Sequence, residues 1–274
     1  MTKPAPRHQV GDFTITAISD GFLDIPLEAL NGIEHAHAFT LLQAATGRPT
    51  PRSAVNAFLI QRAGRTILVD SGAGGSMVET LGRLLPSLAA AGVQPDEVDL
   101  ILLTHLHPDH SGGLALNGAR VFPNATLAVH ENDAAFWLDQ PPEARPERLR
   151  PYVLGAQASV APYDLVRLRT AEAAPGITPV PLPGHTPGHT GYRIDDAGQS
   201  MLIWGDIMHV PDVQSTHPEV GLVFDIDGPQ AIATRRRVLD MAAADNLTIG
   251  GMHFHTPPFA HITRRGDAYA VTPL

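Results

Sequence analysis

Thr104-His105-Leu106-His107-Pro108-Asp109-His110 puts three imidazoles and a carboxylate within six positions. Such side chains are costly inside an apolar core unless they are paired or bind metal. The run before them, Val98-Asp99-Leu100-Ile101-Leu102-Leu103, has the pattern of a short buried strand, and Gly112-Gly113 follows. The histidines are therefore expected in a tight loop at the end of a strand. There His105 and His107 can point one way while Asp109 and His110 turn another, a geometry that suits two adjacent ions better than one.

Three distant segments repeat the same logic of an apolar run, a break at glycine or proline, and then a potential ligand. They are Pro183-Gly184-His185-Thr186-Pro187-Gly188-His189-Thr190-Gly191, Leu202-Ile203-Trp204-Gly205-Asp206 and Leu247-Thr248-Ile249-Gly250-Gly251-Met252-His253. Functional side chains concentrate on loops held by such scaffolds. The chain has no cysteine, which removes thiol nucleophiles, disulfides and thiolate-zinc sites.

The order of His105, His107, Asp109, His110, His185, Asp206 and His253 resembles the metallo-β-lactamase superfamily, and the resemblance runs from the strand around Ile15 to the end of the chain. Trp204-Gly205-Asp206-Ile207-Met208-His209-Val210, Ala135-Phe136-Trp137-Leu138 and Met252-His253-Phe254 are further similar to the methyl parathion hydrolase branch, itself similar to quorum-quenching lactonases. The resemblance implies an α+β protein with an αββα sandwich, in which residues 1–274 form one domain. It also implies two divalent ions. His105, His107 and His185 would hold one, Asp109, His110 and His253 the other, and Asp206 would bridge them. A set of nitrogen and carboxylate donors suits zinc, and also manganese, cobalt or iron. Two such ions acidify a shared water from a pKa of about 15.7 towards roughly 7, giving a bridging hydroxide as nucleophile. Asp109 or Asp206 would then carry a proton to the leaving group.

Further roles follow from the same resemblance. Asp70 would lie beneath the ligand loop and fix a histidine tautomer, although an Asp before glycine is also a common turn former. His189 is expected to bond within its own loop, and Gly184 and Gly188 to let the backbone come close to the ions. Met77, Trp137, His209 and His255 are expected in the substrate pocket, with Phe22, Phe39 and Phe259 equally well explained as core. The lactonase branch carries a tyrosine shortly after the bridging aspartate. Here Ile207, Met208 and His209 stand there, so another oxyanion donor is required, His209 being one candidate. The other histidines read more simply: His8, His130 and His217 as structural or surface residues, His35 and His37 as part of an exposed or lid segment.

The expected activity is hydrolysis of small neutral esters: lactones, carboxylic esters or organophosphate triesters. Alternatives are a persulfide dioxygenase-like enzyme with one ferrous ion on His105, His185 and Asp206, or a glyoxalase-II-like thioesterase. A net charge of -9, with histidines neutral, argues against nucleic acid or an anionic membrane as partner. The basic run Arg235-Arg236-Arg237 reads as a solvated helix face. No apolar stretch has membrane-spanning length, and Met1-Thr2-Lys3-Pro4-Ala5-Pro6-Arg7 lacks the apolar core of a signal peptide, so a cytoplasmic location is expected. A homodimer is implied by the resemblance alone.

Local patterning predicts strands at residues 13–19, 54–60, 66–70, 126–129, 178–182, 190–194 and 200–204. Helices are predicted over 77–91, through Phe136 and Trp137, over 149–158, and over 229–244 with Pro229 in the first turn. Residues 31–53 read as a helical or loop segment, a candidate flap over the site.

Overall fold

The computed structural model describes residues 4–75, 77–255 and 257–274, so the start of the N-terminal reading, Met1 to Lys3, lies outside the described residues. Two sheets, each laid down in chain order, form the frame. The first has seven strands: Arg7–Val10, Phe13–Asp24, Arg52–Arg62, Arg65–Val69, Leu100–Leu102, Thr126–His130 and Leu165–Leu168. The second has six: Ile177–Pro181, Thr190–Asp196, Gln199–Ile203, Thr248–Gly250, Phe259–Arg265 and Ala268–Pro273.

Alternation along the strands covers both faces of each sheet. Phe58 and Ile60 turn inward with Phe13 and Ile15 to meet Tyr192, Ile194, Met201 and Ile203 of the second sheet. Ala57 and Leu59 turn outward, where Leu84, Leu88, Trp137 and Val153 of the helical layer cover them. On the far side Leu202, Ile249, Ala260 and Ile262 pack against Val238, Leu239 and Ala242 of the helix Gly228–Ala244. The result is the expected αββα sandwich. Each fully buried leucine, isoleucine or phenylalanine in it contributes roughly 1.5–3 kcal/mol. The hairpin between Arg52–Arg62 and Arg65–Val69 turns at Ala63 and Gly64, with φ of 49° and 76°. Two successive left-handed residues match the twist of the flanking strands.

Strand direction decides where the chemistry gathers. Arg65–Val69, Leu100–Leu102 and Thr126–His130 run parallel, as do Gln199–Ile203 and Thr248–Gly250. Parallel neighbours end at the same edge. Asp70, the His105–His110 loop, Asp206 and His253 follow four of those ends and meet at one rim of the sandwich.

Two expectations need correction. The helix predicted over 77–91 begins only at Leu84 and ends at Ala90. Gly82 sits at φ 78°, and the buried Asp20 carboxylate accepts the N–H groups of Ala73, Gly82 and Leu84, which fastens the preceding residues as a loop. Arg235 is not on a solvated face. It is 1% exposed, and its guanidinium donates to the carbonyls of Ile207, Pro218 and Val220. Burial lowers its pKa to about 10. Arg236 and Arg237 do face solvent.

Arg235 thereby ties the segment after Asp206 to the outer helix. Arg235→Ala is expected to destabilise the protein by about 3 kcal/mol or more, since three charge-assisted bonds to buried carbonyls are lost. Arg235→Lys should recover only part of this, because one ammonium cannot span all three acceptors. Urea denaturation midpoints would show both. Among the described residues no helix is long and apolar enough to cross a membrane.

Candidate metal centre

Eight side chains meet at this rim in three groups. His105, His107, His185 and Asp206 bring their donor atoms within 4.8 Å of one another, Asp109, His110 and His253 form a second such group, and Asp206, His209 and His253 a third. Asp206 stands between the first two. Its Oδ2 lies 3.6 Å from His105 Nε2 and 3.2 Å from His185 Nε2. Its Oδ1 lies 3.1 Å from both His110 Nε2 and His253 Nε2. Asp109 Oδ2 approaches His110 Nε2 at 3.4 Å. The structure thus brings the seven residues picked out in the sequence together, with His209 beside them.

The outer nitrogens explain the inward aim of the rings. His110 Nδ1 is 2.7 Å from Asp70, His185 Nδ1 is 2.8 Å from Asp225, and His253 Nδ1 is 2.7 Å from the carbonyl of Ala54. An Nδ1–H given to these acceptors leaves the Nε2 lone pairs facing the centre, the arrangement that hydrogen-bond acceptors behind the ring impose on metal-binding histidines. His105 Nε2, His110 Nε2, His253 Nε2 and Asp206 Oδ1 are accordingly buried without a well-formed hydrogen bond. Acceptors pointed at acceptors are costly unless a cation or protons intervene.

Charge tells the same story. Burial pushes His105 and His107 well below the ordinary imidazole range, helped by neighbouring imidazoles. Burial works against charge on His110 and His185 too. For His110 the carboxylates of Asp206, Asp109 and Asp70 outweigh it and hold the ring well above its usual value. For His185, Asp206 and Asp225 raise it to about 9. In the absence of ions, protons supply the positive charge that this cluster of carboxylates demands. The donor set fits divalent metal.

Around the cluster several assignments hold and others change. Asp70 lies beneath the ligand loop, 1% exposed, at φ 62°, and accepts from the Thr104 N–H and hydroxyl as well as facing His110. His189 bonds within its surroundings: Nδ1 pairs with the Leu182 carbonyl, and Nε2 accepts the Asp206 N–H. Trp137 does not line the pocket. It is fully buried behind His107, ring centroids 5.3 Å apart, because the short helix Glu131–Trp137 turns it into the outer core. His255 is exposed and lines a different cleft with Asp212 and Phe254, while His253 takes the inward position. Gly184 and Gly188 serve helix contacts instead of metal approach. A Cβ on Gly184 would meet Ala231 N at 2.2 Å, and one on Gly188 would meet Asp133 N at 2.2 Å.

The cleft above the cluster has a volume of about 160 Å³. Its walls include Leu23, Ile25, Pro26, Met77, Tyr152 and Phe224, with His209 at its floor. Of residues 31–53 only Ser53 reaches it, so the helix His35–Thr46 is no flap in this conformation. Phe22, Phe39 and Phe259 do not line it. His209 Nε2 lies 2.9 Å from Asp206 Oδ2, and its ring stacks on His253. Burial lowers its pKa to about 4.

Three contributors escaped sequence reading: Asp225, Asp133 and Tyr152. Asp225 sits in a loop whose only local signal is the Asp227-Gly228-Pro229 helix start. Asp133 is fully buried and joins the two histidine loops, accepting from Leu106 N–H at 2.8 Å and Gly188 N–H at 3.1 Å. Burial raises its carboxyl to about 6 against those bonds. A carboxyl raised on folding gives stability in full below about pH 4 and loses it as the pH climbs through about 6. Asp133→Asn should therefore be less stable than the wild type by about 1–3 kcal/mol, since its amide must aim a donor at a backbone donor. The wild-type advantage should be largest near pH 4 and smaller at pH 7, read from denaturant melts across that range.

Sandwich and site together define a metal-binding αββα protein. The model of the metallo-beta-lactamase superfamily matches residues 50–253. The chain belongs to this superfamily. A solved structure described as hydrolase AbOPH in the beta lactamase superfamily is 31% identical, superposes with a TM-score of 0.94, and shares 100% of this chain and 98% of its own. The dizinc quorum-quenching lactonase AidC, solved with its product N-hexanoyl-L-homoserine, shares the fold with a TM-score of 0.90 at 24% identity, over 99% of this chain and 97% of its own. In sequence, the N-acyl homoserine lactonase of Bacillus thuringiensis is 31% identical over 113 residues, 41% of this chain and 39% of its own length. The match with it thus spans well under half of that relative.

Proposed function

We propose that this protein is a metal-dependent hydrolase of small neutral esters, with lactones and carboxylic esters as principal substrates and phosphotriesters as a second class. The observation that carries the reading is the convergence of seven imidazole and carboxylate side chains, in two groups with Asp206 within 3.1–3.6 Å of histidines of both, at the floor of an apolar cleft. His105, His107 and His185 would hold one divalent ion and Asp109, His110 and His253 a second, with Asp206 common to both. Zinc is the leading candidate, with manganese, cobalt or iron also suited to these donors. Such ions, when bound, supply Lewis acidity and a water of lowered pKa.

The chain's own groups do the rest. Water adds to the ester carbonyl carbon, the bond to the leaving oxygen breaks, and the proton lost by water must reach that oxygen. Asp109 lines the cleft and its Oδ2 faces His110, so its other oxygen is the one to receive and return the proton. Asp206, buried with its oxygens 3.1–3.6 Å from histidines of both groups, keeps the donor sets in register.

The apolar walls favour a neutral substrate. Among the described residues no lysine or arginine lines the cleft, which disfavours an anionic glutathione thioester despite a partial match to a hydroxyacylglutathione hydrolase of Shewanella loihica. A single-iron oxygenase would leave Asp109, His110 and His253 without a role. The lactonases among the relatives support lactones as the first class to try. We take residues 1–274 as one catalytic domain acting as a homodimer, which light scattering would test.

The test is to purify the protein, measure metal per chain, and assay an N-acyl homoserine lactone, a 4-nitrophenyl ester and methyl paraoxon. About two ions per chain and chelator-sensitive hydrolysis support the reading. One iron per chain with no hydrolysis of any of the three overturns it.

A further inference from the structure

Addition of water to a carbonyl leaves negative charge on the carbonyl oxygen, and a hydrogen-bond donor waiting at that position lowers the barrier. The segment after Asp206 supplies no hydroxyl, since Ile207, Met208 and His209 stand there. The lining side chains outside the seven leave few candidates. Asp24 is an acceptor, and both its oxygens are taken by Arg52 at 2.7 Å. Ser53 is fully buried and turns its hydroxyl to the carbonyl of Ala54. His209 faces Asp206 through Nε2, so in the neutral ring that nitrogen carries the hydrogen. Its Nδ1 is then an acceptor, buried without a partner, and cannot stabilise an anion.

Tyr152 remains. It lines the same cleft as His107, Asp109 and His185, half-buried, on the helix Arg150–Val160. Its ring packs 5.7 Å from His107 and 6.5 Å from Trp137, which holds it against one of the donor sets. Among the described residues no protein group bonds to its hydroxyl. A ring packed against His107 and Trp137 with an uncommitted O–H turned to the cleft is a preorganised donor. It also accounts for Trp137, whose bulk supports the tyrosine from behind instead of touching substrate.

We propose that the Tyr152 hydroxyl is a catalytic hydrogen-bond donor to the carbonyl oxygen of the substrate, an inference that rests on the ester hydrolysis proposed above. The hydroxyl keeps its proton throughout; it stabilises charge and transfers nothing. Because the bond strengthens as charge develops, its loss falls on kcat and little on KM.

The test is Tyr152→Phe in the metal-loaded protein, which keeps the ring and its packing and deletes only the hydroxyl. Loss of one such donor elsewhere costs about 10²–10³-fold in kcat. A fall of at least about 10-fold in kcat for a lactone, with KM within about twofold and metal content and melting temperature unchanged, supports the assignment. A kcat within about twofold of the wild type overturns it. A second measurement is binding of a phosphonate monoester, a stable tetrahedral anion, followed by calorimetry. Weaker binding by the Phe variant supports the donor role, and equal binding overturns it. The binding readout stands even if the wild type hydrolyses none of the assayed esters, an outcome that would count against the proposed function alone.

Discussion

Asp206→Ala is expected to lower kcat/KM by at least about 10³-fold and to leave less than a full complement of metal on the protein. The size of the effect follows from the position of one side chain. Asp206 is 3% exposed, and its two oxygens lie within 2.9–3.6 Å of five imidazole nitrogens, four from the two donor sets and the fifth from His209. Removing it takes an anionic ligand from each set at once and leaves a buried group of imidazoles with less counter-charge. Burial opposes ionisation of Asp206, yet the surrounding histidines, His110 and His253 foremost, hold its carboxyl well below the usual range. Asp206→Asn keeps the shape but not the charge and should fall between alanine and wild type in metal content. Elemental analysis beside steady-state kinetics reads both quantities. Wild-type metal content in the alanine variant would count against Asp206 as a shared ligand.

Chelation should have a comparable effect without any mutation. Exhaustive dialysis against a strong chelator is expected to reduce hydrolysis by about 10³-fold or more, and added zinc, manganese or cobalt to restore it. Stability should fall in parallel. An ion present at about 1,000 times its dissociation constant stabilises the folded state by about 4 kcal/mol. The stripped protein should therefore melt at a clearly lower temperature, because the binding free energy of the ions no longer favours the folded state. Hydrolysis that survives complete metal removal would eliminate the proposed chemistry.

Much of the site was legible because its residues are dense and chemically specific. Three histidines and an aspartate after a short apolar run have few uses other than metal binding, and the loop at 104–110 supplies four of the eight side chains that meet at the rim. Strand ends were legible for a related reason: alternation and glycine breaks are local, and a ligand just past a parallel strand must emerge at the shared edge. Where the reading failed, the deciding force came from far away in the chain. The helix predicted over 77–91 lost its first half to the carboxylate of Asp20, more than fifty residues earlier. Arg235 looked like a surface charge until three carbonyls from residues 207–220 closed around it. Trp137 was expected in the pocket and Tyr152 lines it instead, because which aromatic faces the cleft depends on how two separate helices pack against His107.

The amino-acid sequence by itself determined the layered sandwich, which imidazole and carboxylate side chains come together at its rim, and the absence of thiol chemistry. These are properties of pattern and side-chain type, readable within windows of a few residues. Only the tertiary structure decided that Asp225 sets the His185 ring and that Asp133 joins the two histidine loops. It alone decided, too, that Tyr152 brings an uncommitted hydroxyl to the cleft. Each depends on a contact between segments that local propensity does not relate, and such contacts exist only after the two sheets have closed on their common core.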